Sequence, residues 1–296
     1  MSILIDENTR VLAQGLTGTQ GRRDARFCLD YGTKIICGVT PGKGGEEVYG
    51  LPVYGTVAEA VAEHEIDASV IYAPPMRTKD AILEAIDAGV KLICALAEFV
   101  PRHDTVIVRA TAEKAGAVVV GCNTNGLISA GKSKLGAIGG DDPNEVFVPG
   151  RVGICSRSGG MSAELALALK RGGLGVSTCI SMGGDVTPGT PMVRYVEMFN
   201  ADPDTDAIVM FGEPGTTAEH EVADFLRAGK CGKPLVALLA GEFQENYPEG
   251  VSFGHVAAMI QSESDTVSAK RKMLEDAGAH VARSLGDIPK IIKKIS

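Results

Sequence analysis

Short apolar runs recur along the chain, and each is followed by a stretch whose apolar positions keep helical spacing. In the first half the strand-like runs are Val11–Gln14, Lys34–Val39, Ser69–Ala73, Lys91–Leu96 and Ala117–Gly121. Helical patterns fall between them at Arg22–Tyr31, Val57–His64, Thr78–Ala88 and Asp104–Ala115. The texture changes over 127–150, where Ser, Gly, Lys, Asp and Pro cluster, and this predicts a linker. The alternation then resumes. Strand runs are Arg151–Ser156, Val176–Met182, Asp206–Gly212, Pro234–Ala240 and His280–Arg283. Helical patterns are Ser162–Arg171, Pro191–Asn200, Thr217–Ala228, Asp265–Ala277 and Asp287–Ile295. Strand–helix alternation of this kind predicts parallel sheets covered on both faces. The expected organisation is therefore two α/β domains, 1–126 and 151–296, joined by 127–150.

Composition narrows the function classes. The 296 residues are 45% hydrophobic and 22% charged, with a net charge of −8. An acidic chain argues against a nucleic-acid partner. The N-terminus lacks the basic and apolar regions of a secretion signal. No run approaches the roughly 18–20 apolar residues of a membrane span. The cysteines (Cys28, Cys37, Cys94, Cys122, Cys155, Cys179 and Cys231) form no CxxC pair. Neither a metal site nor a redox dithiol is expected. They read as reduced, buried thiols of a cytoplasmic protein. Glycine is abundant, at 37 residues, which points to backbone brought close to ligands.

The first candidate ligand site follows the first strand run. Gly15-Leu-Thr-Gly18-Thr-Gln-Gly21 leads into a helix, so backbone N–H groups and a helix N-terminus can face a phosphate. Its spacing is GxxGxxG, not the GxGxxG of dinucleotide folds. A dinucleotide site also wants Asp or Glu at the end of the second strand, to accept from the ribose diol. Here that end reads Val39-Thr40-Pro41-Gly42-Lys43-Gly44-Gly45. A lysine suits a phosphorylated ribose, and hence CoA, better than NAD.

Residues 126–133 match the GxxxxGK-Ser pattern of nucleotide phosphate loops. That pattern works only between a strand and a helix. The strand run ends near Gly121, and the glycine-rich residues after Ser133 make a poor helix. A nucleotide loop is therefore not expected.

In the second half, Arg151-Val-Gly-Ile-Cys-Ser156-Arg157-Ser158-Gly159-Gly160 passes from a strand through small residues to a helix start, another anion-binding arrangement. Ile208-Val-Met-Phe-Gly212-Glu213-Pro214-Gly215 puts a carboxylate at a strand's C-terminal end, where ligands collect in open parallel sheets. His64, His103 and His220 lie in polar helical stretches, and His280 begins a strand. His255 differs: it follows a long polar loop and Gly254, a setting that can expose an imidazole. A carboxylate such as Glu213 could orient it by accepting from one ring nitrogen, leaving the other nucleophilic.

Together these motifs resemble the α subunit of succinyl-CoA synthetase, an NDP-forming acid–CoA ligase, across essentially the whole chain. The resemblance rests on Gly15–Gly21, Gly38–Gly45, Ala85–Ile93, Val152–Gly159, Met182–Asp185, Ala207–Glu213 and Gly254-His255, all in the family's order. It implies a Rossmann-like CoA-binding domain followed by a flavodoxin-like, doubly wound domain. It also implies that His255 carries a phosphoryl group, with Glu213 as its orienting partner. Ser156, Ser158, Gly159 and Gly160 would hold that group. Thr17, Gly18, Thr19, Gln20, Lys43, Pro74 and Glu98 would contact CoA. ATP or GTP with Mg2+ would sit mainly on a β subunit with an ATP-grasp domain.

The departures cluster near the expected acid site. The family's Gly-Pro-Asn-Cys-Pro-Gly loop reads Gly121-Cys-Asn123-Thr124-Asn125-Gly126. Thr-Phe-His after the glycine loop becomes Arg22-Arg23-Asp24, and Pro-Ala-Pro-Phe becomes Ala73-Pro74-Pro75-Met76-Arg77. The loop before His255 is acidic instead of basic. Intact phosphoryl chemistry with an altered acid pocket is expected. Asn123, Thr124 and Asn125 would meet the substrate: succinate by default, or a more polar acid such as malate. A CoA-binding regulatory module without turnover is the reading from another class.

Overall fold

A computed structural model describes residues 2–255 and 257–295. The chain divides into two compact units. One holds residues 4–145 together with 187–190; the other holds 146–186 and 191–296 with the extreme N-terminus.

The first unit begins with β1 (Arg10–Gln14), α1 (Thr19–Tyr31), β2 (Lys34–Val39), β3 (Glu47–Val48) and β4 (Leu51–Tyr54). It continues through α2 (Val57–Glu63), β5 (Ala68–Ile71), α3 (Pro75–Asp87), β6 (Leu92–Ala95), α4 (Arg102–Ala115) and β7 (Val118–Gly121). A hairpin, β8 (Gly126–Ser129) and β9 (Ser133–Leu135), follows. The sheet runs β3-β4-β2-β1-β5-β6-β7, parallel except for the β3–β4 pair. Its strand order reverses between β1 and β5, and the Rossmann-like ligand crevice opens at such a reversal. Local signals set the helix ends. Thr56 and Glu59 form a reciprocal capping box at α2. Gly32, at φ 105°, ends α1 in a left-handed turn that returns its N–H to Leu29 O.

The second unit contains β10 (Pro149–Ser156), α5 (Gly159–Arg171), β11 (Val176–Ser181), α6 (Met192–Ala201), β12 (Ala207–Gly212) and α7 (Ala218–Arg227). Then come β13 (Leu235–Leu239), α8 (Val267–Asp276), β14 (His280–Ala282) and α9 (Ile288–Ile295). Its strands run β14-β13-β12-β10-β11, all parallel. This is the flavodoxin-like order, with its switch point between β10 and β12. Every residue of β11, β12 and β13 is buried, as strands covered on both faces must be.

Residues 127–150, expected as a linker, carry the β8–β9 hairpin, a 3-10 turn at Pro143–Glu145 and the start of β10. Leu127, Ile128 and Leu135 are fully buried, and Thr33 Oγ1 donates to Lys134 O at 2.8 Å. The hairpin is too short, and too rich in Ser, Gly and Lys, to show strand periodicity. β3, of two residues, and β4, of four with a proline at 52, escaped sequence reading because they are too short to show a period. The GxxxxGK-Ser stretch lies in this hairpin: Gly131 and Lys132 form its turn and Ser133 opens β9, with a strand where a phosphate loop needs a helix.

Among the described residues all seven cysteines are free; Cys231 is half-buried and the rest are buried. Burial pushes the Cys28 thiol up to about 11 and the Cys37 and Cys155 thiols to about 12. No described helix is long and apolar enough to cross a membrane.

Candidate active site

The cleft of the first unit has a volume of about 700 Å³ and gathers the ends of β1, β2 and β5. Thr17, Gly18, Thr19, Gln20 and Pro74 line it. The glycine spacing has a direct steric cause. A Cβ on Gly21 would stand 2.2 Å from Gly15 O, so the loop folds back on itself only with glycine there. Gly18 caps α1 without any side-chain hydrogen bond, so no side chain covers the start of the helix. Arg22 Nε donates to Thr17 O at 3.1 Å, bracing the loop from outside.

Two residues expected beside CoA are not among those that line this cleft. Lys43 does not line the cleft; its ammonium pairs with Glu46 at 2.9 Å. Glu98 is exposed and also absent from the lining. Sequence reading missed Arg77, the lining residue that supplies a cation, and Tyr72 at the base of the cleft. Arg77 ends the Ala73-Pro-Pro-Met-Arg77 segment that departs from the family, and that departure was its only signal.

In the second unit the switch point brings together the β10–α5 turn, with Ser156 at the end of β10, Ser158 as cap and Gly159 and Gly160 opening α5, and the loop after β12, with Glu213. A cleft of about 300 Å³ is lined by Ser158, Glu213, Pro214, Gln244, Phe253 and His255, among others. His255 Nδ1 lies 2.9 Å from Glu213 Oε2. The imidazole is one-third exposed and the carboxylate is mostly buried, so the pair has a dry side and an open side. An ionised carboxylate only accepts, so Nδ1 is the donor, and in the neutral imidazole Nε2 is the basic nitrogen.

The surrounding backbone is built for this pair. A Cβ on Gly184 would come within 2.8–2.9 Å of the His255 ring, so only glycine lets the imidazole lie there. Ser158 caps α5, its hydroxyl oxygen accepting from Met161 N–H at 3.4 Å. Ser156 Oγ donates to Ser158 O at 2.8 Å and accepts from Ser158 N–H at 3.1 Å, fixing the turn from within the core. Sequence reading gave no weight to Arg157. It is 1% exposed, its Nη2 donates to Asp185 O at 3.0 Å, and its Nε lies 3.8 Å from Glu213 Oε2. Glu213 therefore stands between a buried cation and the imidazole. Phe243, Tyr247 and Phe253 form an exposed aromatic cluster beside the cleft, with ring centroids 4.8–6.4 Å apart. Among the described residues no group of His, Cys, Asp and Glu side chains could hold a metal ion.

Asn123, Thr124 and Asn125 belong to the first unit. Asn123, at φ 56°, donates its N–H to Ala97 O. Thr124 is buried and its hydroxyl oxygen accepts from Gly126 N–H at 2.8 Å, so this hydroxyl shapes the turn.

Comparison with known proteins assigns the chain to a family. Residues 6–99 match the CoA binding domain model and residues 155–280 match the CoA-ligase model. The succinate–CoA ligase [ADP-forming] subunit alpha 1 of Archaeoglobus fulgidus is 42% identical over 295 residues, covering 100% of this chain and 98% of the relative. The chain belongs to the succinate–CoA ligase α-subunit family. Other members differ in their named acid. The ADP-forming sulfoacetate-CoA ligase subunit SauD of Bilophila wadsworthia is 40% identical, over 100% of this chain and 99% of its own. The malate–CoA ligase subunit alpha of Methylorubrum extorquens is 38% identical, over 97% and 95%. Among solved structures, ATP citrate lyase of Methanosaeta concilii superposes with a TM-score of 0.91 at 29% identity. The superposition covers 99% of this chain and 50% of the lyase, so the chain spans half of that protein's length.

Proposed function

We propose that this chain is the phosphohistidine-carrying α subunit of an NDP-forming acid–CoA ligase. The observation that carries the reading is the His255 Nδ1–Glu213 Oε2 contact of 2.9 Å, in one cleft with the Ser158 cap of α5. Glu213 holds the imidazole in one tautomer, with Nδ1 as the donor and Nε2 as the nucleophile. Nε2 forms a bond to the terminal phosphorus of ATP or GTP as the bond to the NDP leaving oxygen breaks. The N–P bond then breaks as a carboxylate oxygen of the acid takes the phosphoryl group, giving an acyl phosphate. CoA is a substrate of the last step: its sulfur bonds to the acyl carbon, inorganic phosphate leaves, and the thiol proton passes to solvent. The N-terminus of α5, with Ser156, Ser158, Gly159 and Gly160, offers partial positive charge to the phosphoryl group.

The first unit is the CoA-binding domain in this reading. Its cleft has room for a large ligand, a glycine loop that a Cβ would close, and the Arg77 cation at its wall. Thr17, Gly18, Thr19, Gln20 and Pro74 contact CoA. Lys43 would have to leave Glu46 to take part. A β subunit with an ATP-grasp domain supplies the nucleotide and Mg2+, consistent with relatives that are named as α subunits. Buried, reduced thiols fit a cytoplasmic enzyme.

The acid is a small one with a second polar or anionic group. Succinate, sulfoacetate and malate, the acids named for the relatives, share that feature. The Asn123-Thr124-Asn125 loop favours the more polar end of that range. Incubation with the β partner, Mg2+ and radiolabelled ATP should put acid-labile label on the chain, and His255→Asn should remove it. No acid-labile label on the wild-type chain would favour a CoA-binding module instead. Initial rates with succinate, malate, sulfoacetate and acetate rank the acids. A clear preference for succinate over malate would overturn the polar-acid reading of the loop, and a preference for acetate would overturn the wider class.

A further inference from the structure

Lys270 and Glu219 form an ion pair of 2.6 Å in which both side chains are 0% exposed. Charges are not taken fully out of water without compensation, and a buried pair is often no more stable than an apolar substitute. What this pair holds is the backbone around Glu213. Lys270 Nζ donates to Glu213 O at 2.9 Å and to Thr216 O at 3.1 Å, and it also contacts Gly215 O. Glu219 gives one carboxylate oxygen, Oε2, to Lys270, while the other, Oε1, accepts from Glu213 N–H at 3.2 Å. Both backbone polar groups of Glu213 are thus bound by one buried ion pair.

Neighbouring residues leave this arrangement little room to shift. A Cβ on Gly212 would stand 2.4 Å from Glu219 Oε1. Thr216 holds φ 55°, a left-handed conformation uncommon for a residue with a branched side chain. Gly215 N–H donates to Asp265 O at 3.1 Å, tying the turn to the segment that leads into α8, the helix carrying Lys270.

We infer that Lys270 and Glu219 are positioning residues for the ligase reaction, fixing the Glu213 carboxylate at hydrogen-bond distance from His255. Neither contacts the reacting atoms; they act through the loop. The inference rests on the phosphohistidine reading. The pair also explains why the α7 and α8 helices, distant in sequence, meet charge to charge beneath the β12 loop.

The test is a double-mutant cycle on the full chain assembled with its β partner. It reads the initial rate of His255 phosphorylation from radiolabelled ATP, with circular dichroism and denaturant unfolding of the assembled protein as the check on folding. Lys270→Met should slow phosphorylation by roughly 10- to 100-fold, as a small misplacement of an orienting group does, with CoA affinity unchanged. Combined with Glu213→Gln, it should slow the reaction no further than Glu213→Gln alone, because both changes remove one function. Glu219→Gln, which keeps the side-chain volume, is measured in the same cycle and should show the same lack of additivity; it decides the matter if Lys270→Met does not fold. Unimpaired phosphorylation in a variant of a labelled wild type overturns the inference. So do losses that multiply in the double mutant, which would mark a general structural role. No label on wild-type His255 would overturn the phosphohistidine reading, and this inference with it.

Discussion

The molecule uses the same device twice, a strand that ends in small residues and delivers the N-terminus of a helix, and finishes it in two ways. At α1 the cap is Gly18, which makes no side-chain bond. At α5 the cap is Ser158, whose hydroxyl serves the helix and whose backbone is held by Ser156. The first terminus opens on a cleft of about 700 Å³, the second on one of about 300 Å³. The first has an exposed arginine nearby; the second has a carboxylate and an imidazole, backed by buried Arg157. A bare glycine terminus suits a large substrate that arrives and leaves whole. A capped, internally braced terminus suits a small group that is handed from atom to atom and must not be misplaced.

If this division holds, the two sites should fail separately. Glu213→Gln should have the largest effect, slowing phosphorylation and overall turnover by roughly 100-fold or more through loss of the oriented tautomer, while calorimetry finds CoA affinity unchanged. Gly21→Ala should do the reverse. A Cβ at 2.2 Å from Gly15 O must displace the loop, at about 1–3 kcal/mol. CoA affinity should fall accordingly, with phosphorylation from ATP near the wild-type rate. Loss of both activities in either variant would break the comparison. Ser158→Ala removes the α5 cap and should lower stability by about 1 kcal/mol in denaturant unfolding, with a modest fall in the phosphorylation rate. Arg77→Gln should have the smallest effect, weakening CoA binding a few-fold at low salt and less at high salt, because the residue is exposed and screened.

The elements that sequence reading found are those long enough to show a period. Each expected helix lies within a few residues of an observed one, since amphipathic spacing and caps such as Thr56, Ser158 and Gly32 are local signals. The β8–β9 hairpin was illegible because its burial comes from tertiary packing around polar residues such as Ser133 and Lys134, both fully buried. The candidate site was legible as motifs and not as distances. Glu213 and His255 each stood out in their own loop, and the switch point of the second sheet brings them to 2.9 Å. Lys43 was legible as a turn lysine, but its pairing with Glu46 three residues on was not. Arg157, Glu219 and Lys270 gave no signal, since a charged residue in a sequence reads as solvated until the fold buries it.

The two ring nitrogens of His255 differ in that Nδ1 pairs with Glu213. Phosphorus NMR on the chain phosphorylated with ATP, Mg2+ and its β partner, kept alkaline to preserve the N–P bond, distinguishes the two phosphohistidine isomers. Phosphorus is expected on Nε2, because Nδ1 is held by Glu213. Phosphorus on Nδ1, or on a residue other than His255, would contradict that.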